Sequence, residues 1–163
     1  IVIKGKFLTL YSTKESIMET IANILRGKGR HFNIVSPFSS VRTALHQMNC
    51  ENVDFLIVME DDRFLGIVSE HDITKKMTDA DLNLNQALVK DFMCTNLPLV
   101  TENDNIVYAM HLIEKYNVRH LAVYDGLQFC GVVSTMDILS QTLRKRKAVF
   151  EEELTEQAYP WHY

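Results

Sequence analysis

Gly66-Ile67-Val68-Ser69-Glu70-His71-Asp72 returns 65 residues later as Gly131-Val132-Val133-Ser134-Thr135-Met136-Asp137. Sliding the chain by those 65 residues aligns Val35–Ile73 with Val100–Ile138 without a gap, with 13 identities in 39 positions. Ala44 falls on Ala109, His46 on His111, Asn52-Val53 on Asn117-Val118, and Phe64 on Phe129. A unit of this length, present twice, is longer than common solenoid repeats and reads as a tandem pair related by a pseudo-twofold axis.

Both copies carry the same local signals. In the first, Asn33-Ile34-Val35 is extended and turns at Ser36-Pro37. Ser39 or Ser40 then caps a helix whose apolar residues Val41, Ala44, Leu45 and Met48 recur at helical spacing. Phe55–Met59 is a short apolar run, as in a buried strand, and the polar Glu60-Asp61-Asp62-Arg63 turns it into Phe64–Val68. A second helix opens at Ser69. In the other copy these become Leu99-Val100, a helix capped by Asp104, strand His120–Tyr124, turn Asp125-Gly126, strand Phe129–Val133 and a helix from Ser134. The expected fold class is therefore α+β (α/β): two β-α-β-β-α repeats with pseudo-twofold symmetry.

The flanks lie outside the repeat. Ile17, Met18, Ile21, Ile24 and Leu25 predict an amphipathic helix over 13–25, ended by Gly27 and Gly29. A short helix is expected at Gln86–Met93, and a long last helix through Leu143, Val149, Phe150 and Leu154. Its Arg144-Lys145-Arg146-Lys147 and Glu151-Glu152-Glu153 read as a solvated, charge-paired face. The expected segments are an N-terminal extension (1–30), repeat one (31–81), a linker (82–95), repeat two (96–145) and a C-terminal helical extension (146–163).

Of the 163 residues, 47% are hydrophobic and 23% charged, which suffices for a buried core without a metal or disulfide staple. A net charge of −4 supplies no field for nucleic acid or an anionic membrane. No apolar stretch is long enough to span a bilayer. Cys50, Cys94 and Cys130 are odd in number and widely spaced, which fits free thiols in a cytoplasmic chain, packed as small hydrophobes. His46 and His111 are read as partly buried packing residues. The first residue is Ile1, which fits a fragment or a processed form, and no signal peptide is read from it.

The chemistry sits in the doubled Gly-h-h-Ser-x-x-Asp, where h is apolar. A strand ends and a helix begins at each serine, exposing backbone N–H groups at the positive helix end. Ser-x-x-Asp is also close to a capping box, in which serine and acid satisfy each other's backbone. A carboxylate at such a junction is equally suited to a vicinal diol such as a ribose, through charge-assisted hydrogen bonds. Both readings stay open on the residues alone.

The whole pattern, especially Asn117-Val118-Arg119-His120-Leu121-Ala122-Val123 followed by Gly131 to Asp137, resembles a tandem pair of cystathionine-β-synthase (CBS) domains, a Bateman module, over about Phe32 to Leu143. The resemblance implies an adenosine ligand such as AMP, ADP, ATP, NAD or S-adenosylmethionine between the repeats, with no required cofactor and no metal. It implies a homodimer and a regulated effector domain or protein. Asp137 and Asp72 would each hold a ribose, Ser134 and Ser69 would face ribose or phosphate, and Val132 and Ile67 would line the base. Ser39, Ala44, Val53 and Asp54 would complete the Asp137 site; Asp104, Ala109, Val118 and Arg119 the Asp72 site. Arg119 and His120 stand where the family often places basic phosphate contacts, whereas their counterparts are Asp54 and Phe55. On that ground the Asp137 site is expected to take a phosphorylated nucleotide and the Asp72 site to be weaker or empty. His71 replaces a small hydroxyl residue often found before the aspartate.

No Walker loop, G-x-S-x-G or H-E-x-x-H is present, so the expected function is a regulatory adenine-nucleotide sensor and not an enzyme. The alternatives are a ligand-free dimerisation scaffold and the regulatory part of a larger enzyme, channel or transporter.

Overall fold

Each apolar run becomes the middle strand of a three-stranded sheet. The structure is a computed structural model that describes residues 19–29, 32–77, 83–144 and 147. In repeat one, β1 (Ile34–Val35) pairs in parallel with β2 (Phe55–Glu60), which pairs antiparallel with β3 (Arg63–Ser69). In repeat two, β4 (Leu99–Thr101), β5 (His120–Asp125) and β6 (Gln128–Ser134) repeat that order. The register carries over residue by residue: Phe55 faces Ser69 as His120 faces Ser134, and both hairpins shift register just after Val58 or Val123. The expected two β-α-β-β-α units are what the chain forms.

The long helices match equally well. α2 (Val41–Glu51) and α5 (Ile106–Tyr116) are each 11 residues. Ser40 caps α2 by accepting from the Thr43 N–H. In α5 the cap is Asn105, which accepts from the Tyr108 N–H, and not the expected Asp104. Asp104 instead accepts from the N–H and hydroxyl of Thr101, one turn earlier. Both helices stop at an asparagine in left-handed backbone, Asn52 (φ 53°) and Asn117 (φ 50°), a conformation its short polar side chain tolerates. α3 (Glu70–Met77) follows β3, and a helix over residues 135–144, here α6, follows β6.

The flanking segments differ from expectation. Thr20 is extended and bridges Asn105, so no helix runs through 13–25; α1 is Ile21–Lys28, with Gly27 inside it and Gly29 (φ 74°) ending it. The linker helix α4 is only Val89–Phe92. Ile17, Met18, Val149, Phe150, Leu154 and the acidic run at 151–153 lie outside the described residues, as does most of the C-terminal extension.

These two flanks change places. Ile21 and Ile24 of α1 enter the core of repeat two, with Val100, Ile106, Leu121 and Val133. Val89 and Phe92 of α4 enter the core of repeat one, with Val41, Met48, Leu56 and Val68. Each helix thus completes the repeat that it does not directly precede in the chain. Burying side chains of this size stabilises by about 1.5–3 kcal/mol each. Backbone hydrogen bonds hold the two flanks: Ile106 N–H donates to the Glu19 carbonyl at 2.9 Å, and Val41 N–H to that of Ala87 at 2.8 Å.

Between the repeats, Ile57, Ile67 and Val132 form a third apolar cluster with Phe32, Phe55, Phe64 and Phe129. Phe64 stacks on its own counterpart Phe129, ring centroids 4.1 Å apart, and Phe55 lies 4.6 Å from its counterpart His120. Equivalent residues meeting face to face mark the pseudo-twofold axis.

Candidate functional site

Ser69 and Ser134 end their strands and open the next helices, and both aspartates close a capping box there. Asp72 accepts from the Ser69 hydroxyl at 2.5 Å and from its N–H at 3.3 Å, while the Asp72 N–H donates to the serine oxygen. Asp137 does the same with Ser134, at 2.7 Å from the N–H and 2.8 Å from the hydroxyl. The two copies part ways at the neighbouring strand edge.

In repeat one, Ile67 spends both outward backbone groups on Cys94: its N–H donates to the Cys94 carbonyl at 3.0 Å and its carbonyl accepts from the Cys94 N–H at 2.7 Å. That segment lies against Gly66, where a Cβ would stand 2.2 Å from the Cys94 oxygen. The edge beside Asp72 is thereby covered by chain. In repeat two, Val132 pairs with Ala122 across the hairpin, and Ala122 donates to Pro98 on the far side. The backbone groups of Val132 therefore also point outward, and its carbonyl accepts from the Lys28 ammonium at 3.2 Å. Beside Gly131 the nearest described atoms belong to the side chains of Leu25 and Phe32.

The result is a cavity of about 840 Å³ at Asp137, within the range of small-molecule sites. Val132, Ser134 and Asp137 line it from repeat two, Val53, Asp54, Phe55 and Ile57 from repeat one, and Arg26 and Lys28 from α1. Of the expected Asp137-site residues, Val53 and Asp54 are there. Ala44 is fully buried in the repeat-one core, and Ser39 is half-buried with its carbonyl engaged by the Val89 N–H; neither lines the cavity. Arg119, expected to complete the Asp72 site, does not line this cavity. It is exposed at the entry to β5, its carbonyl accepting from the Thr135 N–H at 3.0 Å. The strand entry that reaches the Asp137 cavity is that of the facing repeat, so the side chain delivered is the acid Asp54 and not the arginine. Asp72, Ser69 and Ile67 are outside the cavity. Of the residues expected around Asp72, Ala109 is buried in the repeat-two core and Val118 packs against it.

Lys28 is the residue that sequence reasoning missed. It ends α1, lies 2.7 Å from Asp137 Oδ2, and stands 5.5 Å above the Phe55 ring. Basic residues in a last helical turn are visible in the sequence, but their target 109 positions away is not. His120 is buried, 6% exposed, and its Nε2 has no hydrogen-bond partner among the described residues. His46 and His111 are exposed, not partly buried as expected. Cys50 is exposed as well, while Cys94 and Cys130 are half-buried; all are free thiols. Partial burial and the Glu102 carboxylate push the Cys130 thiol up, away from thiolate chemistry at neutral pH.

Burial holds the His120 pKa below the ordinary imidazole value, against the upward pull of Asp54, Asp72 and Asp137 and with a downward push from Lys28. Unfolding restores a pKa near ~6.5. As pH falls, the unfolded chain therefore takes the proton first, and stability declines from about pH 6.5 toward the folded pKa. His120→Phe, which copies the Phe55 position, should flatten this decline. Denaturation midpoints at about pH 7.5 and 5.5 check it; equal acid losses in both proteins would remove His120 as the source.

The CBS-domain profile matches residues 29–79 and 89–143, and the chain belongs to that family as a CBS-domain pair, a regulatory module. It is 29% identical over 125 residues to arabinose 5-phosphate isomerase KdsD of Francisella tularensis, covering 76% of this chain but only 38% of that protein. The crystal structure of the CBS domain protein NE2398 matches with a TM-score of 0.71 and 30% identity, over 77% of this chain and 99% of that one. CBSX2, solved in complex with AMP, shares the fold at a TM-score of 0.61 and 22% identity, over 78% of this chain and 98% of that one. No helix among the described residues is long and apolar enough to cross a membrane.

Proposed function

We propose that this CBS pair is a regulatory module, without catalytic activity of its own, that binds an adenosine nucleotide in the Asp137 cavity. The observation that carries the reading is the β6 edge at Val132 beside the Asp137 carboxylate: among the described residues no backbone pairs with it, where repeat one has Cys94 in place. An outward N–H and C=O on one residue match the acceptor ring nitrogen and donor amine of an adenine edge. Asp137 is then placed for the ribose diol, and the Ser134 junction lies at the positive end of α6. CBSX2, a relative in fold, was crystallised with AMP. Arg119, at its exposed strand entry, would serve the covered Asp72 side, and His120 would support the cavity wall through Phe55 and not touch ligand.

A ligand in this cavity touches both repeats and α1, so it favours one mutual arrangement of them; coupling of this kind is typically about 1–3 kcal/mol. An effector domain, a partner protein or a second copy of the chain would read that arrangement. Exposed apolar residues Val107 and Met110 on α5 and Met136, Leu139 and Leu143 on α6 favour self-association as a homodimer in a cytoplasmic setting. Calorimetry with AMP, ATP, adenosine, NAD and S-adenosylmethionine tests the proposal. One member should bind with a stoichiometry of one per chain and raise the melting temperature; a panel that leaves heat and melting temperature unmoved would favour the ligand-free scaffold.

A further inference from the structure

We infer that Lys28 sets the ligand class of the cavity, selecting a nucleoside that carries an anionic phosphate over the neutral nucleoside; the inference rests on the proposed Asp137 site. Lys28 lies one residue before the matched CBS region, and its counterpart in the repeat is Met93, so nothing in the doubled pattern supplies it. It donates to the Asp137 carboxylate at 2.7 Å and to the Val132 carbonyl at 3.2 Å, the two acceptors that a ribose hydroxyl and an adenine amine would use. An ammonium thus sits on the two acceptors that ligand donors would need. A ligand that takes both acceptors displaces Lys28.

The fate of the displaced ammonium depends on the ligand's charge. Among the described residues, the other charged side chains lining the cavity are Asp54, Glu102 and Arg26. Arg26 donates back along its own helix, to the Ala22 carbonyl and the Asn23 amide oxygen. Of these two described cations, Lys28 is the one bonded to the Asp137 carboxylate and the Val132 carbonyl. Displaced by a neutral nucleoside, it exchanges a carboxylate partner for solvent beside the cavity and gives up an ion pair. Displaced by a nucleotide, it pivots on a four-carbon stem to the phosphate oxygens and regains an anionic partner. The phosphate in turn needs it, since Asp54 and Glu102 otherwise repel an anion there. One side chain therefore penalises adenosine and supports AMP. α1 carries Lys28 and is rooted in repeat two, so the same exchange gives the helix a different contact in the bound state.

The test is calorimetry of adenosine and AMP on the full chain, comparing the wild type with Lys28→Met and Lys28→Arg, with melting temperatures to verify folding. The wild type should prefer AMP by about ten-fold or more, the scale of one charge-assisted hydrogen bond. Lys28→Met should tighten adenosine, weaken AMP and reduce that preference to near equality; Lys28→Arg should keep most of it. If both ligands bind and Lys28→Met leaves their ratio within about two-fold of wild type, Lys28 does not set the class and the inference fails while the cavity assignment stands. If neither ligand binds the folded wild type, the inference fails, and the cavity assignment fails with it when ATP, NAD and S-adenosylmethionine do not bind either.

Discussion

Gly66→Ala should lower the melting temperature by roughly 10 °C, and Gly131→Ala by much less, although the two glycines hold the same place in the repeat. The backbone is in a glycine-favouring conformation at both, φ 156° and 148°. Their surroundings differ. A Cβ at 66 would stand 2.2 Å from the Cys94 carbonyl oxygen and 3.2 Å from Thr95 Cα, which are backbone atoms pinned by the Ile67–Cys94 bridge. Relief requires moving the linker, which breaks that bridge and draws Val89 and Phe92 out of the repeat-one core. A cost of at least about 4 kcal/mol fits overpacking combined with lost burial. At 131 the nearest atoms are Leu25 Cδ2 at 3.2 Å and Phe32 Cε1 at 3.3 Å, ends of side chains that shift by a few tenths of an ångström. Thermal unfolding of both variants checks the contrast; equal losses would mean that backbone conformation, not the Cys94 contact, sets the cost.

Asp137→Ala should weaken AMP binding by about a hundred-fold, while Asp72→Ala should leave it within about three-fold. The magnitude comes from two hydrogen bonds between a carboxylate and a diol, each worth about 1.5 kcal/mol or more. The second variant is a matched control. Both aspartates close the same capping box, so both substitutions should cost a similar ~1 kcal/mol of stability through an unsatisfied helix start. Asp137 alone of the two also lines the cavity. Calorimetry beside thermal unfolding separates the two effects. Were Asp72→Ala to weaken AMP as strongly as Asp137→Ala, binding would have to involve the covered edge, and the one-cavity assignment would be abandoned.

Of the two readings of Ser-x-x-Asp that are open on the residues alone, the structure shows the capping box. The capping box forms in both copies, and the acid of the second copy also faces a cavity. Other local signals are legible in the sequence: Ser40 as a cap, the hairpins between Phe55 and Val68 and between His120 and Val133, and a register shared at an offset of 65 residues. Sequence and structure differ where a local signal has a competing partner. Asp104 reads as a cap, but Thr101 claims its carboxylate and leaves Asn105 to the helix. Ile17 to Leu25 reads as one continuous helix, but Thr20 is drawn into a bridge with Asn105. Arg119 reads as a basic phosphate contact at its strand entry, but it stands exposed there, and the strand entry that reaches the Asp137 cavity belongs to the facing repeat and brings Asp54.

The sequence alone determined the repeated unit, because caps, turns and strand alternation act over a few residues and two copies of one pattern fold alike. Which strand edge a described segment covers was decided by the tertiary structure. The deciding contacts, Cys94 on Ile67 and Lys28 on Asp137, join flanks that the repeat does not contain to edges that it does, the latter across 109 positions. Identical letters at Gly66 and Gly131 cannot encode that difference; it arises from which chain segment packs against each.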